Sequence, residues 1–230
     1  MTLLRSKALA AAGWPHAFPE RDATDEELAR ELGLSLAAAI VQVKQVHGPD
    51  AIEAADARPG ACADALVGRA GRESVAVGVR VADCVPVLVA DEVSGDVAAI
   101  HAGWRGVVGG VVQSGVERLA GARLRSGAVL VAAIGPCIGP CCFEVGRDVA
   151  ETIAQASLGA RVVAALRGDR AYVDLRAAVR AQLVAAGVSD ARIDDVPGCT
   201  KHEAARFHSF RRDGANSGRM LAAIAGRRSP

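Results

Sequence analysis

Apolar and polar positions alternate with a period of two in several stretches of this chain. The longest such stretches predict strands that are buried on at least one face. From Ala38 the alternation runs through Ile40, Val41, Val43 and Val46 and stops at the turn signal His47-Gly48-Pro49. Ser74 to Val81 and Val85 to Ala90 are rich in valine and predict two further strands, joined by Ala82-Asp83-Cys84. Asp96 to Ile100 predicts a strand running into His101-Ala102-Gly103-Trp104-Arg105-Gly106, and Val107 to Ala120 then takes helical spacing. A buried strand is expected over Ala128 to Ile134, before the rigid turn Gly135-Pro136-Cys137-Ile138-Gly139-Pro140. Helices are expected near Leu28 to Leu32, over Val145 to Ser157 and over Asp174 to Ala186. The closing arginine-dense segment, Arg206 to Arg219, leads to a short apolar helix from Met220 to Ala225. Interleaved strands and helices argue for a layered α/β or α+β fold. No linker or internal repeat divides the chain, so residues 1–230 read as one domain, with 1–35 a polar lead-in.

Composition narrows the partners. With 51% hydrophobic residues the chain can fill a large core. Its 27 basic and 26 acidic residues leave a net charge of +1 and no charged tail, which asks for neither nucleic acid nor an anionic membrane. An aromatic content of 3% is too low for a base-stacking surface. Met1 to Trp14 carries Arg5 and Lys7 and falls far short of the roughly 18 apolar residues of a membrane span. The six cysteines, in a chain without an export signal, read as reduced thiols in a cytoplasmic protein whose partner is a small molecule.

His47, Cys84 and His101 each fall at the end of a predicted strand, where side chains from separate strands can converge. Two imidazoles and a thiolate suit zinc, and three protein ligands leave a fourth position open for water or substrate. Spacing alone does not show convergence, and a lone cysteine in an apolar run is ordinarily a small buried hydrophobe. The glycine-containing turn at His101 to Gly106 opens a helix, so its free N–H groups and Arg105 suit a phosphate or an oxyanion. The other reading of that turn makes Arg105 a solvated charge. Asp83 either orients a ligand or water beside Cys84 or closes a turn between strands. Asp64 and Glu144 are candidate acids that read first as surface groups. Cys137, Cys141 and Cys142 make a poor second metal set, because two are adjacent and no histidine lies near them in sequence. His16, His202 and His208 are isolated and read as surface or satisfied core residues.

Four phrases together resemble the signature of the laccase-domain family, also called the multicopper polyphenol oxidase or purine nucleoside phosphorylase family. They are Gln45-Val46-His47-Gly48, Ala82-Asp83-Cys84-Val85-Pro86, His101-Ala102-Gly103-Trp104-Arg105-Gly106 and Gly135-Pro136-Cys137-Ile138-Gly139. Phe207-His208-Ser209-Phe210-Arg211-Arg212-Asp213 and Ser217-Gly218-Arg219-Met220 resemble its closing motif, so the likeness spans about residues 40 to 225. The resemblance implies a four-layer αββα sandwich with mixed sheets, related in fold to cytotoxic-necrotising-factor-type cysteine hydrolases. It implies His47, Cys84 and His101 as metal ligands. It also implies phosphorolysis of adenosine, inosine and methylthioadenosine, with adenosine deamination attributed to the same family. Zinc is the expected metal, copper the alternative, and the expected form is a monomer or homodimer that takes a nucleoside and phosphate. In that reading Cys84, His101, Asp83 and Arg105 carry the chemistry, with Arg105 on the phosphate and Asp83 moving protons. The rival enzyme is a cysteine hydrolase acting on cell-wall precursors, with Cys84 as nucleophile and His101 as its base. Copper phenol oxidation fits poorly, since the chain has five histidines. A non-enzymatic zinc-binding module would need a closed, four-ligand site. The chain departs from the family near its start, where Phe18-Pro19-Glu20-Arg21-Asp22 replaces a Thr-Arg-x-Gly-Gly phrase and the segment is shortened.

Overall fold

The valine-rich alternating runs become the two central strands of a sandwich. The structure, a computed structural model, describes residues 3–36, 39–71 and 75–227. In chain order the elements begin β1 (Leu3–Leu4), α1 (Lys7–Ala11), β2 (His16–Pro19), α2 (Asp25–Glu31), β3 (Ile40–Val41), β4 (Ala51–Glu53) and β5 (Ala65–Gly68). There follow β6 (Ala76–Val81), β7 (Val85–Asp91), β8 (Val97–Ala102), α3 (Trp104–Gly109), α4 (Val111–Ala120), α5 (Arg123–Ser126) and β9 (Leu130–Ile134). The chain continues with β10 (Glu144–Gly146), α6 (Arg147–Gln155), β11 (Val163–Arg167), β12 (Arg170–Val173), α7 (Leu175–Ala185) and β13 (Ile193–Asp195), and closes with α8 (Phe210–Asp213) and β14 (Met220–Ala225).

One mixed sheet has the order β1-β2-β14-β6-β3, a second β13-β9-β7-β8-β5-β4, and β10-β12-β11 form a small antiparallel sheet. The two large sheets face each other through Val77, Val79, Ala222 and Ile224 on one side and Leu66, Leu88, Ala99 and Ala133 on the other. The outer face of the six-stranded sheet packs Val87, Val89 and Ile100 against Val112, Val116 and Leu119 of α4 and Val179 and Leu183 of α7. The outer face of the five-stranded sheet packs Leu221, Ala223 and Ile40 against Leu28 and Leu32, on and just after α2. The result is the αββα sandwich that the resemblance implies. The α2 helix starts at Thr24, whose side chain and that of Glu27 each accept from the other's backbone N–H.

Four expectations are corrected. Met220–Ala225 is a strand, not a helix: it lies between β2 and β6, with Leu221 and Ala223 on one face and Ala222 and Ile224 on the other. A strand buried on both faces carries no alternation to betray it. The lead-in is built into the fold, since β2 pairs with β14 and β1 with β2. The helix expected over Val107 to Ala120 breaks at Gly110, whose φ of 89° ends α3 and starts α4. The strand expected from Ala38 to Val46 forms a strand only over Ile40–Val41, with an isolated parallel bridge from Lys44 to Cys62, and Ala38 lies outside the described residues, as does Ser74. Beyond it the Gln45 side chain takes over the ladder: its amide nitrogen donates to Arg80 O and its oxygen accepts from Arg80 N, each at 2.8 Å. That exchange lets the backbone leave the sheet before His47.

Candidate active site

The register of the six-stranded sheet brings distant residues to one edge. β7 and β8 pair so that Pro86 opposes His101, and β5 pairs with β8 so that Ala65 opposes Ile100. Cys84 just before β7, Asp64 just before β5 and His101 near the end of β8 therefore meet at the same end of three neighbouring strands. The His101 backbone N–H donates to Asp64 O at 2.7 Å.

Asp64 organises this edge, contrary to its reading as a surface acid. It is 1% exposed. Its carboxylate accepts from the backbone N–H groups of Val46 (3.1 Å), His47 (2.9 Å) and Gly48 (2.8 Å), and lies 2.7 Å from His101 Nδ1. Three successive N–H groups can converge on one carboxylate because His47 holds a φ of 61°. With Nδ1–H donated to the carboxylate, His101 directs Nε2 at the site, where it is a lone pair once that nitrogen gives up its proton. Burial alone would raise the Asp64 pKa, but the bonds from His101, Gly48 and Val46 outweigh it and hold it low.

The donor atoms of His47, Cys84 and His101 all lie within 4.8 Å of one another, with Cys84 Sγ 3.8 Å from His47 Nε2. Donors about 2.0–2.3 Å from a tetrahedral ion stand roughly 3.5 Å apart, so the set lies close to the spacing that a zinc-sized ion takes. Gly103 makes room: a Cβ there would come 2.8 Å from His47 Cδ2 and 3.2 Å from Cys84 Sγ. Burial pushes the Cys84 thiol up, yet the hydrogen bonds and charge of His101 and His47 bring it down to about 7. Burial pushes His101 down, yet Asp64 and Cys84 raise it to about 9. At neutral pH the metal-free pair is biased towards thiolate and imidazolium, the state a cationic ligand would replace.

The trio forms one wall of a cavity of ≈ 500 Å³, a size that suits a nucleoside-scale ligand. Asp83 also lines it. Its Oδ1 accepts from Thr200 Oγ1 and its Oδ2 from the Arg211 N–H, both at 2.6 Å, while its carbonyl accepts from the Ile138 N–H at 3.0 Å. With a φ of 96° it fastens three loops around the cavity, so its carboxylate is spent on positioning. Arg105 is exposed, stacks on Trp104 with its guanidinium carbon 4.6 Å from the ring centroid, and is not in the cavity lining. The arginines that do line it are Arg80, Arg211 and Arg219. Arg80 is paired with Asp25, whereas neither Arg211 nor Arg219 pairs with a carboxylate among the described residues. Arg211 and Arg219 stand over Phe143 and Phe210, which also face the cavity. The density of arginine in 206–219 was the signal for them; the glycine turn drew attention to Arg105 instead. Glu144 lies on β10 outside the lining, and Cys137 is buried beside Arg176, where burial pushes its thiol up to about 11.

Fold and site together define an αββα protein whose cavity carries a metal-capable His-Cys-His set. Residues 22–227 match the family model described as multi-copper polyphenol oxidoreductase laccase, and the chain belongs to that family. Among similar proteins, adenosine deaminase RL5 from an unknown prokaryotic organism is 44% identical over 166 residues, covering 70% of this chain and 61% of that protein. The chain thus spans less than two thirds of that relative. A purine nucleoside phosphorylase of Deinococcus radiodurans is 38% identical over 198 residues, covering 86% of this chain and 74% of its own. The crystal structure of YlmD from Geobacillus stearothermophilus superposes with a TM-score of 0.76 at 33% identity, covering 89% of this chain and 79% of that one. That of Neisseria meningitidis NMB0706 gives 0.81 at 28% identity over the whole of both chains. Among the described residues no helix is long and apolar enough to cross a membrane.

Proposed function

We propose that the chain is a zinc-dependent purine nucleoside phosphorylase, cleaving adenosine, inosine or methylthioadenosine, with adenosine deamination as a second activity of the same cavity. The observation that carries this reading is the pairing, across one cavity, of the His47–Cys84–His101 set with two arginines that lack carboxylate partners. Relatives named as phosphorylases and as an adenosine deaminase support it. Arg211 and Arg219 hold the phosphate dianion, the role that Arg105 is too far outside the lining to fill. Phe143 and Phe210 flank the purine. Phosphate oxygen attacks the anomeric carbon, the glycosidic C–N bond breaks, and the electron pair leaves with the purine. When bound, the ion supplies Lewis-acid polarisation and a fixed positive charge at the His-Cys-His wall. Asp64 holds the His101 ring in the orientation that keeps Nε2 facing the cavity. The reduced thiols that such a site needs suit the cytoplasm.

A second reading has its own observation. Cys84, His101 and Asp64 stand in the order nucleophile, base and orienting carboxylate, the arrangement of a cysteine hydrolase. Metal on Cys84 would suppress that chemistry, so the two readings respond oppositely to chelation.

The test incubates zinc-loaded protein with adenosine, with and without phosphate, and follows products by chromatography with mass detection. Adenine and ribose 1-phosphate should appear only with phosphate, with loss of turnover in Cys84→Ala and in chelated protein; inosine would report deamination. Absence of turnover on all three nucleosides, with amide hydrolysis that rises on chelation, would overturn the phosphorylase in favour of the hydrolase.

A further inference from the structure

Along the chain no histidine lies near Cys141 and Cys142, which argues against a second metal set there. The fold supplies one. Cys137 and Cys199 form an isolated parallel bridge that lays the loop after β9 beside the loop after β13. Cys141 Sγ is then 3.6 Å from Cys142 Sγ, 3.7 Å from Cys199 Sγ and 3.2 Å from His202 Nδ1. The four donor atoms lie within 4.8 Å of one another.

We propose that Cys141, Cys142, Cys199 and His202 form a second, structural zinc site, separate from the His47–Cys84–His101 set. Sulfurs about 2.3 Å from a tetrahedral ion stand roughly 3.7 Å apart, which is the spacing seen around Cys141. A disulfide would use two of the four groups and leave the convergence of the other two unexplained. It would also need an S–S separation of about 2.05 Å. Cys199-Thr200-Lys201-His202 is a tight turn that offers a sulfur and an imidazole three residues apart. The Cys199 sulfur accepts from the Gly139 N–H at 3.2 Å and faces the backbone N–H groups of Lys201 and His202. Backbone donors aimed at sulfur stabilise a bound thiolate. Three thiolates and one imidazole are a soft, closed set that selects zinc and leaves no position for substrate.

The site fastens the cavity walls. Cys141 and Cys142 lie between Ile138 and Phe143, which line the cavity, and Thr200 donates to Asp83 while its carbonyl accepts from Arg212 at 2.9 Å. One ion therefore clamps the two loops that hold Asp83 and the start of α8, where Phe210 and Arg211 stand. The proposal concerns metal content and stands whether or not the cavity phosphorolyses nucleosides.

The experiment counts zinc in the reduced, purified protein by elemental mass spectrometry. Two equivalents are expected in the natural chain, one in Cys84→Ala, one in Cys199→Ser, and none in the double variant. His202→Ala, at an exposed position, should keep the fold by circular dichroism while surrendering one equivalent to a chelator at least about tenfold faster. Cobalt in the Cys84→Ala variant should give a thiolate charge-transfer band that Cys199→Ser removes. A single equivalent that vanishes with Cys84→Ala would overturn the proposal, as would a chelation rate unchanged in His202→Ala. A disulfide involving Cys141 found by peptide mapping of the reduced preparation would do the same.

Discussion

A single carboxylate carries more of the site than any of the side chains that announce themselves. Asp64 has no motif around it, and an aspartate before a strand is ordinarily a turn residue, so its role became visible only when its neighbours were in place. The residue types of the metal set were legible: His47, Cys84 and His101 stood out by chemistry and by their places at strand ends. Their convergence was not, because it depends on register between β5, β8 and β7. Arg105 shows the converse. Its turn was read well, but a guanidinium has a long reach and its direction is set by the Trp104 ring on which it stacks. Asp64→Asn keeps the shape and removes the charge that His101 and three N–H groups share. We expect metal affinity at the His-Cys-His set to fall about 10–100-fold, measured by competition with a chromophoric chelator. The neutral amide should also cost about 1–3 kcal/mol of stability, read from urea denaturation.

Among elements, the strands β6 to β9 were legible as valine-bearing apolar runs between turn signals, although they are as buried as β14, and the helices by their amphipathic spacing. The strands β6 to β9 and the helices α6 and α7 fall within a few residues of their expected places. Other elements were missed or misread. β14 has no valine and is rich in the helix formers Met, Leu and Ala, and β1, β4 and β13 have two or three residues each, too few to establish a period. The break between α3 and α4 turns on one backbone angle. Gly110→Ala places a side chain at a φ of 89°, so it should lower stability by about 1–2 kcal/mol, checked as a shift in the urea midpoint at unchanged slope. An unchanged midpoint would mean that the two helices can join.

At the scale of the whole molecule the layered fold follows from its pattern, while the integration of the first 35 residues does not, since polar, proline-bearing sequence rarely declares a sheet partner. One of those residues sets how the molecule responds to acid. His16 is buried; its Nε2 accepts from the Ser6 N–H at 2.9 Å and its Nδ1 lies 2.8 Å from Trp14 O, which fixes it as a neutral ring. Burial holds its pKa below the ordinary 6.5. Below that value the unfolded chain takes up a proton that the folded one refuses. Stability from this group is therefore complete above about pH 6.5, declines as pH falls through it, and levels off below the lower folded pKa. Thermal unfolding at about pH 7.5 and pH 5.5 should show a larger loss in the natural protein than in His16→Gln. Equal losses would assign the acid sensitivity elsewhere.

The position of β14 sets the timetable of folding during synthesis. Its place is in the middle of the five-stranded sheet, between β2 and β6, yet it leaves the ribosome after every other strand described. Until then β2 and β6 have no strand between them, and the inner face of the six-stranded sheet lacks the layer contributed by Ala222 and Ile224. A nascent chain halted before Met220 thus exposes two apolar sheet surfaces and unpaired edges, the condition in which chaperones and proteases gain access. Completion of the sandwich waits on the six residues of β14, the last of its described strands to be made.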